Sequence, residues 1–319
     1  MRRSVWPGPQ VVLVAVAILA CLISGGSHAQ DAADGSAEAS QEEPAWIIYE
    51  EGVHHLRNRE YGEAMQAFRR AISVRGGAFP EAEAGIGRIF SAENQIDLAA
   101  RQFRRALEQK AFFYGPAQEY VVRYELAELH RNRGVEGRYD YQAALEAIVA
   151  DDQSFSDRDN RSLRRGYRRT LEDDGVDRLL VLYRLEEDFT RRAHHLLGEH
   201  YLAGRNFSTA ADHLMYATLM VFSTAIEEVR RGDPGYQFEA VAGFLDRLER
   251  EETVRAYLEE AEAYRILYHL ATAVYGADIS SRTPQDIWAI IAEEDAAGQW
   301  ARMARRQLDD PRSDRYVDY

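Results

Sequence analysis

Cysteine, lysine, proline and glycine are all scarce in this sequence of 319 residues. It has one cysteine (Cys21), one lysine (Lys110), 8 prolines and 22 glycines. One cysteine cannot build a disulfide framework. Proline and glycine interrupt helices, and the long stretches without them are filled with Ala, Leu, Glu, Arg and Gln, which lose little freedom in a helix. The composition therefore predicts an all-α protein.

Positive charge is also in short supply. The formal net charge is −14, with 46% hydrophobic and 29% charged residues, a balance that is typical of a soluble protein with a substantial core. The arginines are interleaved with more numerous Asp and Glu. Because phosphate neutralisation requires clustered cations, nucleic acid is not an expected partner, and anionic membrane surfaces are disfavoured for the same reason.

Residues 1–29 have the pattern of a secretory signal peptide: two arginines near the start, an apolar run from Val11 to Ile23, and small residues up to Ala29. The apolar run is shorter than the roughly 20 residues that span a bilayer. We therefore expect a cleaved leader and an exported, periplasmic protein. If cleavage follows Ala29, the mature chain has no cysteine, which excludes disulfides, cysteine metal sites and thiol catalysis.

Cys21 supports an alternative. The segment Ile18-Leu19-Ala20-Cys21 loosely resembles the lipobox of bacterial lipoproteins, which would tether the protein to a membrane through Cys21. Membrane contact is expected only in that case. Residues 30–43 are small, polar and acidic without an apolar period, and this composition predicts a flexible linker.

Small and aromatic residues recur along the rest of the chain at a fixed spacing. The first unit contains Gly52, Tyr61, Ala64, Phe68 and Ala71. The second contains Ile86, Gly87, Phe90, Ala99, Phe103 and Ala106. The clearest later unit contains Leu197, Gly198, Tyr201, Phe207, Ala210, Leu214 and Ala217.

These units resemble the tetratricopeptide repeat (TPR), a pair of antiparallel helices. The equivalent residues Ala64 and Ala99 are 35 positions apart, close to the family period of about 34. The resemblance implies a solenoid of stacked helical hairpins, in which small residues let two helices approach and large residues fill the gap to the next pair. The alternative is a set of ordinary amphipathic hairpins.

The resemblance also divides the chain. Two repeats are expected in 44–110, degenerate helical pairs in 111–190, a strong repeat in 191–232, capping helices in 233–310 and a polar tail in 311–319. One of the degenerate pairs is expected to have an apolar stripe formed by Leu179, Leu180, Leu182 and Leu185.

TPR proteins bind a peptide or protein partner on the concave face, which is lined by the first helix of each pair. The function implied is a non-enzymatic scaffold or adaptor of the bacterial cell envelope. The alternative is an accessory ligand-binding subunit of an envelope transport system, with a deep pocket lined by Tyr, Trp and Arg. The family's groove positions correspond to Tyr49, Val53, Leu56, Arg57, Ala84, Arg88, Ser91, His195, Glu199 and Leu202.

Histidines are the only hint of chemistry, with four in one repeat: His194, His195, His200 and His213. The Glu199-His200 pair does not fit the HExxH zinc motif, because its histidines must lie four positions apart. We therefore expect solvent-facing or capped histidines. No phosphate-binding loop or GxSxG element is present. The sequence thus predicts no enzyme and no catalytic, cofactor-binding or metal-binding residues.

Overall fold

The computed structural model describes residues 43–248 and 251–315. Within these ranges every regular element is a helix, which confirms the expected all-α class. The leader at 1–29 with Cys21, nearly all of the acidic linker and residues 316–319 lie outside the described residues. No helix in the described part is long and apolar enough to span a membrane.

The described residues form fifteen α-helices and two short 3-10 helices, Lys110–Phe112 and Asp295–Ala297. The α-helices are α1 Ala45–Arg57, α2 Tyr61–Val74, α3 Pro80–Ala92, α4 Ile96–Glu108, α5 Pro116–Arg131, α6 Arg138–Val149, α7 Gln153–Ser156, α8 Arg161–Leu182, α9 Arg191–Ala203, α10 Phe207–Gly232, α11 Val241–Arg247, α12 Glu252–Glu260, α13 Ala263–Ala277, α14 Thr283–Glu293 and α15 Gln299–Asp309.

Three of the helical pairs share the same turn. Arg59, Asn94 and Arg205 have φ of 65°, 60° and 59°, and each lies two residues before the second helix of its pair. Residues other than glycine adopt this left-handed conformation only uncommonly. Its recurrence at one place in α1–α2, α3–α4 and α9–α10 shows that the three pairs have the same local geometry.

The same three pairs also share one packing contact. A glycine of the first helix lies against a large residue sixteen positions later in the second: Gly52 against Phe68, Gly87 against Phe103, and Gly198 against Leu214. Because glycine has no Cβ, the two helices approach closely at this level. Phe68 also meets Gly85 of α3, so its ring links the first pair to the second.

The helices pack in neighbouring pairs along the chain. From α1 to α6 each helix contacts the next, and among the first helices α1 contacts α3 and α3 contacts α5. The chain then departs from the expected order, because α6 contacts α9 directly. The helices that follow α6 in the chain, α7 and α8, therefore do not separate it from α9.

The intervening α8 instead packs against α10 and α14. It is interrupted at Gly175, whose φ of 85° and ψ of 179° are not helical. Leu179 and Leu180 are buried, Leu185 packs against the core, and Leu182 is exposed. Three of the four leucines of the predicted apolar stripe therefore pack into the core, but the core that they join is formed with helices later in the chain.

The C-terminal helices surround α13. This helix is largely buried and contacts α9, α10, α12, α14 and α15. Trp288 of α14 and Tyr268 of α13 are among the largest fully buried side chains. The largest continuous core of the described residues therefore lies at this end, around α10 and α13.

Candidate functional site

The first candidate site is a groove between α1, α3 and α5. It contains a cavity of about 150 Å³ to which α1 contributes Tyr49 and α3 contributes Glu81 and Arg88. The turn before α5 and α5 itself supply the rest of the lining: Phe113, Ala117, Gln118, Val121 and Val122. The cavity thus combines apolar walls with a few charged groups.

Charged groups in the groove are paired. Arg88 Nε donates to both carboxylate oxygens of Glu125, at 2.8 and 3.1 Å. This contact joins α3 to α5. Burial raises the pKa of Tyr49, whose hydroxyl therefore stays protonated beside Arg88. The floor of the groove presents no uncompensated positive charge, unlike a site that would hold a free carboxylate.

Glu81 is a buried carboxylate at the edge of the same cavity. Its Oε1 accepts a hydrogen bond from the backbone N–H of Tyr114 at 2.7 Å, and Arg75 Nη1 lies 3.7 Å from Oε2. The guanidinium of Arg75 also stacks on the rings of Phe79 and Tyr114, at 4.4 and 4.9 Å. This network holds the segment before α5, with its exposed aromatic rings, against α3.

The residues that the TPR resemblance selects fall into two groups. Tyr49 and Arg88 line the cavity, Val53, Leu56 and Ser91 are half-buried on the same two helices, and Arg57 is exposed. The other group is mostly buried: Ala84 and Leu202 are fully buried, His195 is 2% exposed, and Glu199 is half-buried. Ala84, Leu202 and His195 therefore offer no surface to a partner.

His195 and Glu199 belong instead to a second candidate site, between α9 and α13. His195 Nε2 lies 3.1 Å from Glu199 Oε1, and His269 Nδ1 of α13 lies 3.1 Å from the same oxygen. These three ligand atoms all lie within 4.8 Å of one another. Two imidazoles and a carboxylate are a set that can hold a transition-metal ion.

Two charged residues surround this cluster. Arg265 Nη2 donates to Glu199 Oε2 at 2.9 Å, Arg265 Nε lies 2.6 Å from Oε1, and Arg265 Nη1 donates to Glu262 at 2.7 Å. Glu262 Oε2 also lies 3.8 Å from His195 Nδ1.

The surroundings favour the neutral imidazole of His195 and the ionised carboxylate of Glu199. Burial lowers the pKa of His195. Burial by itself raises the pKa of Glu199, but its contacts with His195 and His269 outweigh that effect and hold the pKa below its ordinary value. Both forms are those that bind metals.

A third cluster lies on the other side of α9. His194 Nε2 is 3.2 Å from Asp152 Oδ2, and His194 Nδ1 is 3.1 Å from His213 Nδ1. Asp152 also caps α7, where its Oδ1 accepts from the backbone N–H of Ser154 at 2.8 Å. Burial lowers the pKa of His213 to about 3, so this imidazole is neutral.

The sequence led us to expect solvent-facing or capped histidines, and three of the four do not face solvent. His194, His195 and His213 are buried, at 0%, 2% and 5% exposure. The reason is that α9 is enclosed by α6, α10 and α13. His269, 70 residues beyond Glu199, was not singled out from the sequence, and the one local signal for the cluster was the spacing of His195 and Glu199 by one helical turn.

A second cavity, of about 300 Å³, opens near the third cluster. Carboxylates dominate its lining, which consists of Asp151, Asp152, Gln153, Ser154, Leu185, Glu186, Asp188 and Met220. Such a lining favours a cationic or hydrogen-bond-donating occupant.

These features define the class: an all-helical, repeat-like protein whose helices pack in neighbouring pairs, with one groove on the first helices. No family model matches the chain. It is 23% identical over 233 residues to an uncharacterized protein of Treponema pallidum (strain Nichols), a match that covers 72% of this chain and 62% of that protein. The chain therefore spans less than two thirds of that relative. It is also 20% identical over 255 residues to an uncharacterized protein of Borreliella burgdorferi, in a match that covers 73% of this chain and 78% of that protein.

Proposed function

We propose that this protein is a non-enzymatic scaffold of the TPR type, which binds a segment of a partner protein in the groove of α1, α3 and α5. The observation that supports it most is the cavity lined by Tyr49, Arg88, Phe113 and Val121. Its volume of about 150 Å³ is below the 300–1,000 Å³ usual for small-molecule sites. One large side chain of a partner fits such a cavity better than a cofactor does.

The recurring turn and the recurring glycine contact support the TPR assignment. Both occur at equivalent positions in three helical pairs. The direct contact of α6 with α9 interrupts the succession expected of a regular solenoid. The proposal therefore places recognition on the first three pairs, where the first helices contact one another in order.

The partner segment is expected to insert an apolar side chain beside Phe113 and Val121. Val121 is 48% exposed although it lines the cavity, and Phe112 and Tyr114, which flank Phe113 in the chain, are also exposed. Arg88 and Glu125 neutralise each other, so the groove does not demand a charged ligand. Aromatic and arginine side chains around a small pocket are the usual composition of a protein-binding hot spot.

Site-specific photo-crosslinking tests this proposal. A photoreactive side chain at Val121 should crosslink a discrete partner in cells, whereas the same group at Val135, which is 90% exposed outside the groove, should not. With the partner purified, Val121→Glu should weaken binding at least about tenfold by charging a desolvated contact, and Val135→Glu should leave it unchanged. The same partners at both positions, or equal affinity of the two variants, would refute the groove.

A second candidate function is a binding subunit for a small cationic ligand of a transport system. The cavity of about 300 Å³ lined by Asp151, Asp152, Glu186 and Asp188 favours it. Native mass spectrometry of protein purified from its own cells tests this candidate. If the candidate is right, a ligand should co-purify with the wild-type protein. The Asp188→Asn variant should lack that ligand, and the Val135→Glu variant should still carry it.

The site of action that we propose is the cell envelope, on the strength of residues 1–29. Mass spectrometry of the mature chain distinguishes the two forms. Cleavage after Ala29 leaves an N-terminus at Gln30, and lipidation leaves an acylated Cys21. An unprocessed Met1 in the cytosolic fraction would contradict both.

A further inference from the structure

The cluster between α9 and α13 brings together three side chains of types that bind metals, with ligand atoms within 4.8 Å of one another. Glu199 Oε1 lies 3.1 Å from His195 Nε2 and 3.1 Å from His269 Nδ1. Two ligands of one tetrahedral zinc ion, with bonds of about 2.0–2.1 Å, are separated by about 3.3 Å. His195 Nε2 and Glu199 Oε1 are buried and close, yet they lack the alignment of a hydrogen bond. Ligand atoms that converge on a common point show this combination.

We propose that His195, Glu199 and His269 bind one divalent transition-metal ion, of which zinc is the representative, and that the ion ties α9 to α13. Two imidazole nitrogens with one carboxylate oxygen suit zinc and its neighbours, while calcium and magnesium require oxygen ligands. Three protein ligands leave a further position for water. The site is independent of the groove.

Rigid helices preorganise the ligands. His195 and Glu199 are four residues apart on α9, so both side chains lie on the same helical face. His269 comes from the middle of α13, which is packed on all sides by other helices and buried at this level. The packing of α9 against α13 places the three ligand atoms within 4.8 Å of one another.

The surrounding charges suit a cation. The carboxylates of Glu199 and Glu262 carry two formal negative charges at this site, against the one positive charge of Arg265. Glu262 lies 3.8 Å from His195 Nδ1, the position from which a carboxylate orients a metal-bound histidine. Arg265 Nε lies near Glu199 Oε1, so the metal displaces that contact, while Arg265 keeps Oε2 and Glu262.

A metal ion that crosslinks α9 and α13 would stabilise the fold. The chain has one cysteine, so no disulfide within it can crosslink helices. The ion would join the strongest repeat, α9–α10, to the central helix of the C-terminal part. Metal binding would then raise the unfolding temperature of the whole core around α10 and α13.

Zinc binding by the purified full chain tests the site. After dialysis against ZnCl₂ and then metal-free buffer, we expect one zinc per chain, and with CoCl₂ the visible absorption of tetrahedral cobalt. In competition with a chromogenic chelator, Glu199→Gln should weaken zinc affinity by more than about a hundredfold, and Glu262→Gln by about 10–100-fold, as outer carboxylates do. X-ray absorption of zinc-loaded protein should show two imidazoles and carboxylate oxygen.

His194→Asn is the matched control. His194 is the residue before His195, is equally buried, and bonds Asp152 and His213 instead. Its substitution should leave zinc affinity unchanged. Two measurements use the wild-type protein alone: the number of zinc ions bound per chain, and the fall in unfolding temperature that we expect when a chelator removes the zinc. Misfolding of a variant therefore cannot obscure the answer. Zinc that is not retained, or that Glu199→Gln retains equally, would overturn the proposal and leave a buried cluster of ion pairs around Glu199.

Discussion

Gly87 of α3 faces the ring of Phe103 of α4 so closely that a Cβ on the glycine would come within 2.7 Å of the ring. The same relation joins Gly52 to Phe68 and Gly198 to Leu214, each sixteen residues apart. It is the clearest structural repeat in the described residues, because the residue types, the spacing and the contact all recur. The close approach of the two helices depends on it.

Gly87→Ala should therefore destabilise the protein by about 1–3 kcal/mol, because the ring of Phe103 is fully enclosed and must shift. Urea denaturation followed by circular dichroism measures the change. Gly62→Ala in α2 is the control, since a Cβ there meets nothing within 4 Å. Helix propensity alone should stabilise that variant by up to about 1 kcal/mol. Equal stability of the two variants would show that α3 and α4 can separate freely.

Acid should destabilise the fold through His213. Burial lowers its pKa to about 3 from an ordinary value of about 6.5, so at pH 5 the unfolded chain binds a proton that the folded chain excludes. Stability then falls as the pH drops below about 6.5, and His213 contributes a loss of about 2 kcal/mol by pH 5.

His213→Gln should reduce the difference between urea midpoints at pH 7 and pH 5, and the exposed His54→Gln should leave it unchanged. His195 also has a lowered pKa, so part of the acid sensitivity remains in the variant. A pH dependence identical to that of the wild type would mean that His213 is protonated in the folded protein.

Arg88 and Glu125 should show a measurable coupling energy. Their two hydrogen bonds, at 2.8 and 3.1 Å, are charge-assisted, and both side chains are about two-thirds buried. A double-mutant cycle with Arg88→Met and Glu125→Gln should give about 1–2 kcal/mol from unfolding experiments. A coupling near zero would indicate that α3 and α5 are held by their apolar contacts alone.

Gly175 should resist substitution for a conformational reason. With φ at 85° and ψ at 179°, it occupies a region of backbone space that is essentially restricted to glycine. Gly175→Ala should cost about 1–3 kcal/mol although a Cβ would meet nothing within 4 Å. Gly243→Ala, equally uncrowded but in ordinary helical conformation, is the control. If both variants are equally stable, α8 can straighten without loss.

Local patterns in the sequence predicted the all-α class and the close approach of two helices at small residues within each strong pair, but they assigned the large residues to the gap between pairs, whereas Phe68, Phe103 and Leu214 also meet the glycine of their own pair. Helical periodicity and the positions of glycine are properties of short segments, so a single sequence displays them. The register of the repeat selected Tyr49 and Arg88 on the first helices, and both line the cavity there, while their contact with a partner stays a prediction.

Only the tertiary structure showed which helices and side chains are in contact when they lie far apart in the sequence. The direct contact of α6 with α9, which moves α8 onto α10 and α14, depends on the whole core and has no local signature. The burial of His194, His195 and His213 follows from the enclosure of α9 by three other helices. His269 meets His195 and Glu199 across some 70 residues, because the packing of α13 against α9, and not any motif, brings their ligand atoms together.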